Sequence, residues 1–151
     1  MSSGYAIELK NNYAWSEDSV LLFTTHGCQI ILLGDYESEQ DAYFLLIDFN
    51  DAKCVKSAST DLCPDMLIEP ENIGAKYISV LTDSNWDDEA HQMYCYKGTP
   101  KNTIRKHFVL SNHDVFHEVL AKSFTETKIT NDESLFEKIK SCYLLSKAQL
   151  I

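Results

Sequence analysis

Residues 19–33 have the sequence SVLLFTTHGCQIILL, and this stretch decides the kind of fold that the chain predicts. Two short apolar runs, 19–25 and 28–33, are rich in Val, Ile, Leu and Thr, which are typical of β-strands. His26 and Gly27 separate the runs, and a glycine at the second position of a short loop suits a tight turn. The stretch therefore predicts a β-hairpin in a β-rich part of the chain.

The strand pattern continues for most of the first two thirds of the sequence. The run YFLLI at 43–47 is apolar at consecutive positions, which indicates a strand covered on both faces. Residues 58–74 lose the pattern and predict a long loop with one short helical turn. Further strands are predicted at 53–57, 77–81, 92–97 and 103–110, and the last two form a hairpin.

The last third of the sequence changes to helical spacing. Asn112 is a plausible N-cap for a helix over 112–125, and a second helix is predicted over 131–148. Strands followed by helices predict an α+β fold. We expect one domain over 1–151, β-rich over 1–110. Its architecture would be an antiparallel meander of about six to eight strands, with both C-terminal helices packed on one face.

The charge of the chain is unevenly distributed. The protein has 151 residues and a formal net charge of −10. Residues 1–100 carry seventeen Asp and Glu against five Lys, whereas residues 101–151 carry six Asp and Glu against eight Lys and Arg. An acidic surface repels nucleic acid and anionic membranes and attracts basic protein surfaces.

The acidic residues cluster in two segments, 35–41 and 83–89, which the sequence predicts as loops. Aromatic side chains lie among the carboxylates, and this mixture can bind a basic protein because aromatics bury area while acids steer and pair. Both segments follow predicted strands, so we expect them at the same end of the sheet. The candidate partner-binding residues are Asp35, Tyr36, Glu37, Glu39, Asp41, Asp83, Trp86, Asp87, Asp88 and Glu89.

Metal and nucleophile motifs are weak in this sequence. His113 and His117 are four residues apart, a spacing that can bind zinc on a helix, but nothing places a third ligand. The run DSNWDDE lacks the spacing and the glycine of a calcium loop. His26 and Cys28 stand in a predicted tight hairpin without a catalytic signature. We therefore predict no metal site, no cofactor and no enzymatic activity.

The remaining composition favours a protein that works without nucleic acid or membrane. Five scattered cysteines without a CxxC pair predict reduced thiols, and no apolar run is long enough to span a bilayer. Lys97, Lys101, Arg105 and Lys106 surround a predicted hairpin, but four bases are a poor footprint for nucleic acid on so acidic a chain. With no secretory signal apparent, a cytoplasmic protein is expected.

This overall profile resembles the immunity proteins that accompany bacterial polymorphic toxins, including those of contact-dependent growth inhibition systems. The resemblance covers the chain as a whole and rests on its small size, acidity and lack of a catalytic motif, so no functional residue is transferred from it. It implies a stoichiometric inhibitor that binds and neutralises a basic toxin domain, with a nuclease as one option. The alternatives are an acidic adaptor or DNA-mimic domain and, less favoured, an enzyme or metal-binding domain whose site is assembled from distant residues.

Overall fold

The computed structural model describes residues 2–63, 66–67, 75–94, 101 and 104–147. Two short 3-10 helices, Glu39–Asp41 and Thr60–Leu62, lie between strands. The helices are α1 (Trp86–Tyr94) and α2 (Ser134–Lys147). The strands are β1 (Ser2–Glu8), β2 (Ser19–Thr24), β3 (Gly27–Leu33), β4 (Tyr43–Asn50), β5 (Cys54–Ser59), β6 (Met66–Leu67), β7 (Tyr77–Leu81), β8 (Lys106–Ser111), β9 (Val115–Ala121) and β10 (Ser123–Thr130).

The strands form two sheets, which confirms the predicted α+β fold with antiparallel pairing. One sheet has the order β10-β4-β3-β2, and the other has the order β5-β9-β8-β7-β1-β6. All described pairs are antiparallel except the short parallel pair of β1 and β6. The chain passes between the sheets after β1, after β4 and again after β9, so the expectation of one continuous meander is replaced by two sheets.

The main core lies where the two sheets pack against each other. The rings of Phe49 on β4 and Phe108 on β8 have centroids 5.4 Å apart, and the ring of Phe124 on β10 contacts both. The opposite face of the four-stranded sheet is covered by α2, whose Phe136 and Tyr143 pack against Phe44. Strand β4 is therefore buried on both faces, as its continuous apolar run predicts.

The β2–β3 hairpin is confirmed, with a small change in the turn. Thr24 pairs with Gly27, so the two loop residues are Thr25 and His26. Gly27 has a φ of +127°, a conformation that side-chain-bearing residues rarely adopt. Glycine has no Cβ and adopts this φ at little cost, so β3 can begin directly after the turn.

The predicted helix over 112–125 is wrong, because this segment forms β9 and the start of β10. Every residue of β9 after Val115 is buried, so the strand has two covered faces and shows no alternation. Its apolar positions then mimic helical spacing. Asn112 is no N-cap; it lies in the β8–β9 turn, where its backbone N–H donates to the carbonyl of Val115.

The second acidic segment also differs from expectation. Residues 86–94 form α1, whereas the sequence predicted a loop up to 89 and a strand from 92. The rest of that predicted strand, 95–97, lies outside the described residues, as do most of 58–74 and the centre of the predicted hairpin. Strand β8 confirms most of the predicted 103–110 strand.

Only one helix is C-terminal. The predicted second helix is confirmed as α2, which packs on the four-stranded sheet, whereas α1 contacts β8 of the other sheet. The two helices therefore do not share one face. Among the described residues, neither helix has the length and apolar character needed to cross a membrane.

Candidate functional site

The first acidic segment is a short connection between β3 and β4, and hydrogen bonds to backbone groups hold it in place. The N–H of Asp35 donates to the hydroxyl of Tyr43 at 3.2 Å, and that hydroxyl donates to the carbonyl of Asn12 at 2.7 Å. Ser38 caps the 3-10 helix by accepting from the N–H of Gln40. Because these contacts use backbone groups, the carboxylates of the segment stay available at the surface.

All four carboxylates of this segment are exposed: Asp35, Glu37, Glu39 and Asp41. No ion pair between residues that the structure describes reaches any of them. Tyr36 lies half-buried among them, with its ring 6.0 Å from that of Tyr43. The segment is therefore an uncompensated negative surface with an aromatic side chain in it.

Two further acidic segments join this surface, and sequence reasoning missed both. Asn131, in the turn before α2, donates to the backbone carbonyls of Glu39 and Gln40, each at 3.0 Å. The hydroxyl of Tyr143 on α2 donates to the carbonyl of Asp18 at 2.9 Å. We define the acidic end as the carboxylates of these three segments: Glu17, Asp18, Asp35, Glu37, Glu39, Asp41, Asp132 and Glu133.

Two tyrosines report the negative potential of the acidic end. Burial raises the pKa of Tyr36, and the charges of Glu39 and Glu17 raise it further. Burial raises the pKa of Tyr143 to about 12, with added contributions from Glu17 and Asp18. Carboxylates from segments far apart in sequence therefore act on the same side chains, which is what a shared surface requires.

Basic side chains pair with carboxylates of the second acidic segment. The ammonium of Lys101 lies 2.6 Å from a carboxylate oxygen of Asp87 and 2.8 Å from one of Asp88. The backbone N–H of Arg105 donates to Asp87 at 3.0 Å, and its guanidinium lies 2.9 Å from Asp51. Two bases of the predicted basic hairpin, Lys101 and Arg105, thus contact carboxylates of the predicted acidic loop.

The other side chains of this segment also have partners inside the protein. Asp83 accepts a hydrogen bond from the N–H of Ser3 at 3.0 Å. The ring of Trp86 packs edge-on against His107, with Lys56 over its face at 4.4 Å. The carboxylates lead into α1, where negative charge near the helix N-terminus is favourable. The side chains of Asp83 and Trp86 are therefore held by contacts within the protein.

The two acidic segments lie toward opposite ends of β4, so the expectation that they share one end is wrong. Asp35 is bonded to Tyr43, the first residue of β4. Asp87 is linked through Arg105 to Asp51, which follows the last residue of the strand. Eight residues of strand separate these points by about 23 Å. The structure brings together the members of each segment but not the two segments.

The histidine pair that suggested zinc is not on one helix face. His117 is buried in β9 and bonds the hydroxyls of Ser19 and Ser57, at 2.7 and 2.6 Å. His113 lies in the preceding turn, exposed, 2.8 Å from Asp114. Within the described ranges, no group of three or more His, Cys, Asp or Glu side chains could hold a metal ion.

The cysteine of the hairpin is not an accessible nucleophile. Cys28 is fully buried between the sheets, and this burial raises the pKa of its thiol to about 12. Burial also raises the pKa values of Cys54 and Cys63. A thiolate is the reactive form of cysteine, so these environments suit packing better than chemistry.

Comparison of the chain with protein-family models, with curated proteins and with solved structures finds no match. The fold and the acidic end therefore define the protein only as an α+β, antiparallel two-sheet protein with a charged surface at one end of β4.

Proposed function

We propose that this protein is a stoichiometric inhibitor of the immunity type, which binds a basic toxin domain through the acidic end. The observation that carries the proposal is the contrast between the two acidic segments. Lys101 pairs with the carboxylates of Asp87 and Asp88, whereas Asp35, Glu37, Glu39 and Asp41 are exposed and outside every ion pair of the described chain.

The energetics favour a basic partner at this surface. Carboxylates crowded at one end repel one another, and a partner rich in Lys and Arg relieves this repulsion when it docks. Long-range attraction accelerates association, whereas buried aromatic contacts supply much of the affinity. Tyr36 is suited to the second role because it is a half-buried aromatic residue between Asp35 and Glu37 in the sequence.

An acidic adaptor or DNA-mimic domain is the alternative, and it uses the same surface. It differs in the consequence of binding, because an adaptor's partner is not harmful when it is produced alone. A nuclease partner would be inhibited by blocking the face that binds the phosphate backbone. Growth of cells that produce the partner alone therefore separates the inhibitor hypothesis from the adaptor hypothesis more sharply than a binding measurement does.

The triple variant Glu37→Gln, Glu39→Gln, Asp41→Asn is expected to slow association with the partner by about tenfold at low salt. The partner is first captured from source cells on the tagged chain and identified by mass, and the rates are then measured with both purified proteins. The dissociation rate should change less, because exposed rim charges act mainly on encounter.

The matched control is the triple variant Asp48→Asn, Asp88→Asn, Glu89→Gln, which changes net charge equally at exposed positions outside the acidic end. Its association rate should stay within about twofold of the wild type. Equal slowing in both variants would reduce the effect to net charge and contradict the assigned surface. Producing the partner alone should stop growth, and only chains with an intact acidic end should restore it.

A further inference from the structure

We propose that Ser84, His107 and Glu118 form a nucleophilic site that hydrolyses a short-chain carboxylic ester. The residues lie in the β7–α1 loop, on β8 and on β9, so the fold brings together three separate segments. This site is independent of the acidic end, and it departs from the expectation that the chain has no catalytic group.

The three side chains form a continuous hydrogen-bonded chain. Ser84 Oγ lies 2.6 Å from His107 Nδ1, and His107 Nε2 lies 2.6 Å from Glu118 Oε1. A carboxylate can only accept, so Nε2 carries the hydrogen of its bond to Glu118, and Nδ1 is the ring atom that is placed to accept the hydroxyl proton of Ser84. A nucleophile within hydrogen-bond reach of a base that a third group orients is the arrangement of covalent catalysis.

Burial makes this arrangement more than a surface contact. His107 and Glu118 are buried, at 8% and 7% exposure. A buried carboxylate is costly unless it is paired, so Glu118 holds the imidazole in one orientation. The ring of Trp86 packs against the imidazole at 4.8 Å and restricts it further. The base is therefore pre-organised before any substrate binds.

Ser84 has the exposure and surroundings of a nucleophile. It is half-buried and lines a cleft of about 330 Å³, together with His107, Tyr5 and Ile104. The N–H of Trp86 donates to its Oγ at 3.2 Å, and α1 begins two residues later. The N-terminal end of a helix favours negative charge that develops beside it.

A second buried histidine, His117, provides a comparison for the role of the carboxylate beside His107. His117 also bonds serine hydroxyls through both ring nitrogens, to Ser19 and Ser57, but no carboxylate of the described residues bonds it. Within that part of the chain, its imidazole therefore lacks a carboxylate that would stabilise the positive charge that base catalysis creates. This serine–histidine cluster is a built-in control for the first.

The reaction is written for an ester in the cleft. Ser84 Oγ attacks the carbonyl carbon while its proton passes to His107 Nδ1, and the C–O bond to the alcohol then breaks. The alcohol leaves with that proton. Water attacks the acyl-Ser84 ester, gives one proton to His107, and the proton returns to Ser84 Oγ as the acid departs. The net reaction consumes one ester and one water and yields an acid and an alcohol.

The size and lining of the cleft limit the substrate. A volume near 330 Å³ lies at the small end of ligand-binding sites, so it suits a short acyl group. Tyr5 and Ile104 supply apolar lining, while Lys101 and Arg105 lie at the same cleft. A short-chain ester is compatible with both kinds of lining.

The test uses a fluorophosphonate probe and p-nitrophenyl acetate with the full-length protein. The probe should add to Ser84, as located by peptide mass spectrometry, and Ser84→Ala should remove both the adduct and the ester hydrolysis. His107→Gln should lower the labelling rate about hundredfold or more. Ser57→Ala and His117→Gln should label at the wild-type rate.

Glu118 is a positioning residue, because it acts through His107. Glu118→Gln should lower kcat for p-nitrophenyl acetate about hundredfold with KM nearly unchanged, when kcat is calculated per folded molecule and the folded fraction of each variant is measured by circular dichroism. Absence of a Ser84 adduct, or hydrolysis by Ser84→Ala at the wild-type rate, would overturn the proposal. Ser84→Ala removes one half-buried hydroxyl and should leave partner association unchanged, so this test is separate from that of the acidic end.

Discussion

Replacing Phe108 by alanine is expected to lower the free energy of unfolding by about 3–5 kcal/mol. The Phe108 side chain is 2% exposed, and its ring contacts those of Phe49 and Phe124 from the other sheet. Removing it opens a cavity at the junction of the two sheets, and the rigid strands around it can close only part of that space. Urea unfolding monitored by circular dichroism measures the loss.

Phe23→Ala is the matched control, since it removes the same atoms from an exposed position. Phe23 is 45% exposed near the end of β2, and its loss should cost about 1 kcal/mol or less. Equal destabilisation by the two variants would contradict the packing of β4 against β8. A changed dependence on urea without a changed midpoint would point to an altered unfolded state instead.

The stability of the protein is expected to fall by about 3 kcal/mol as the pH is lowered from about 6.5 to about 4, through His117 alone. Burial lowers the pKa of His117 from its ordinary value of 6.5 to about 4. In this pH window His117 binds a proton in the unfolded chain, whereas it stays unprotonated in the folded chain. The stabilisation is therefore fully present above pH 6.5 and disappears as the pH approaches 4.

The variant His117→Gln isolates this contribution, because glutamine keeps hydrogen-bonding groups near Ser19 and Ser57 but does not titrate. Its own stability should decline less than that of the wild type over the same pH window, with the difference amounting to most of the 3 kcal/mol. Chemical unfolding at several pH values measures both curves. Parallel curves would show that folding does not lower the pKa of His117 and would contradict the prediction.

Local sequence patterns were sufficient to predict the elements whose formation depends on residues close in the chain. The β2–β3 hairpin, β7 and α2 were predicted because a tight turn, a short β-branched run and a capped amphipathic stretch depend on residues close in sequence. Just before α2, the carboxylate of Glu133 accepts from the backbone N–H of Thr130 at 2.6 Å, and the N–H of Glu133 donates to the carbonyl of Thr130. These interactions do not depend on the partner sheet.

The errors in secondary structure at β9 and α1 have different origins. Strand β9 holds His117 and Glu118 at buried positions, which is possible only because Ser57 and His107 satisfy them. A strand so covered has no alternation to detect. Helix α1 is short, and its acidic first turn was taken for a loop, although carboxylates at Asp87 and Asp88 are also a signal of a helix start.

Composition, turns and periodicity depend on near neighbours, so they were enough to predict an acidic, β-rich protein with a C-terminal helix. Which charges remain uncompensated depends on contacts between distant segments. The tertiary structure paired Lys101 with Asp87 and left Asp35 and its neighbours exposed. It also assembled Ser84, His107 and Glu118. Such side-chain contacts depend on sheet order and register, which bring together residues that are far apart in the chain.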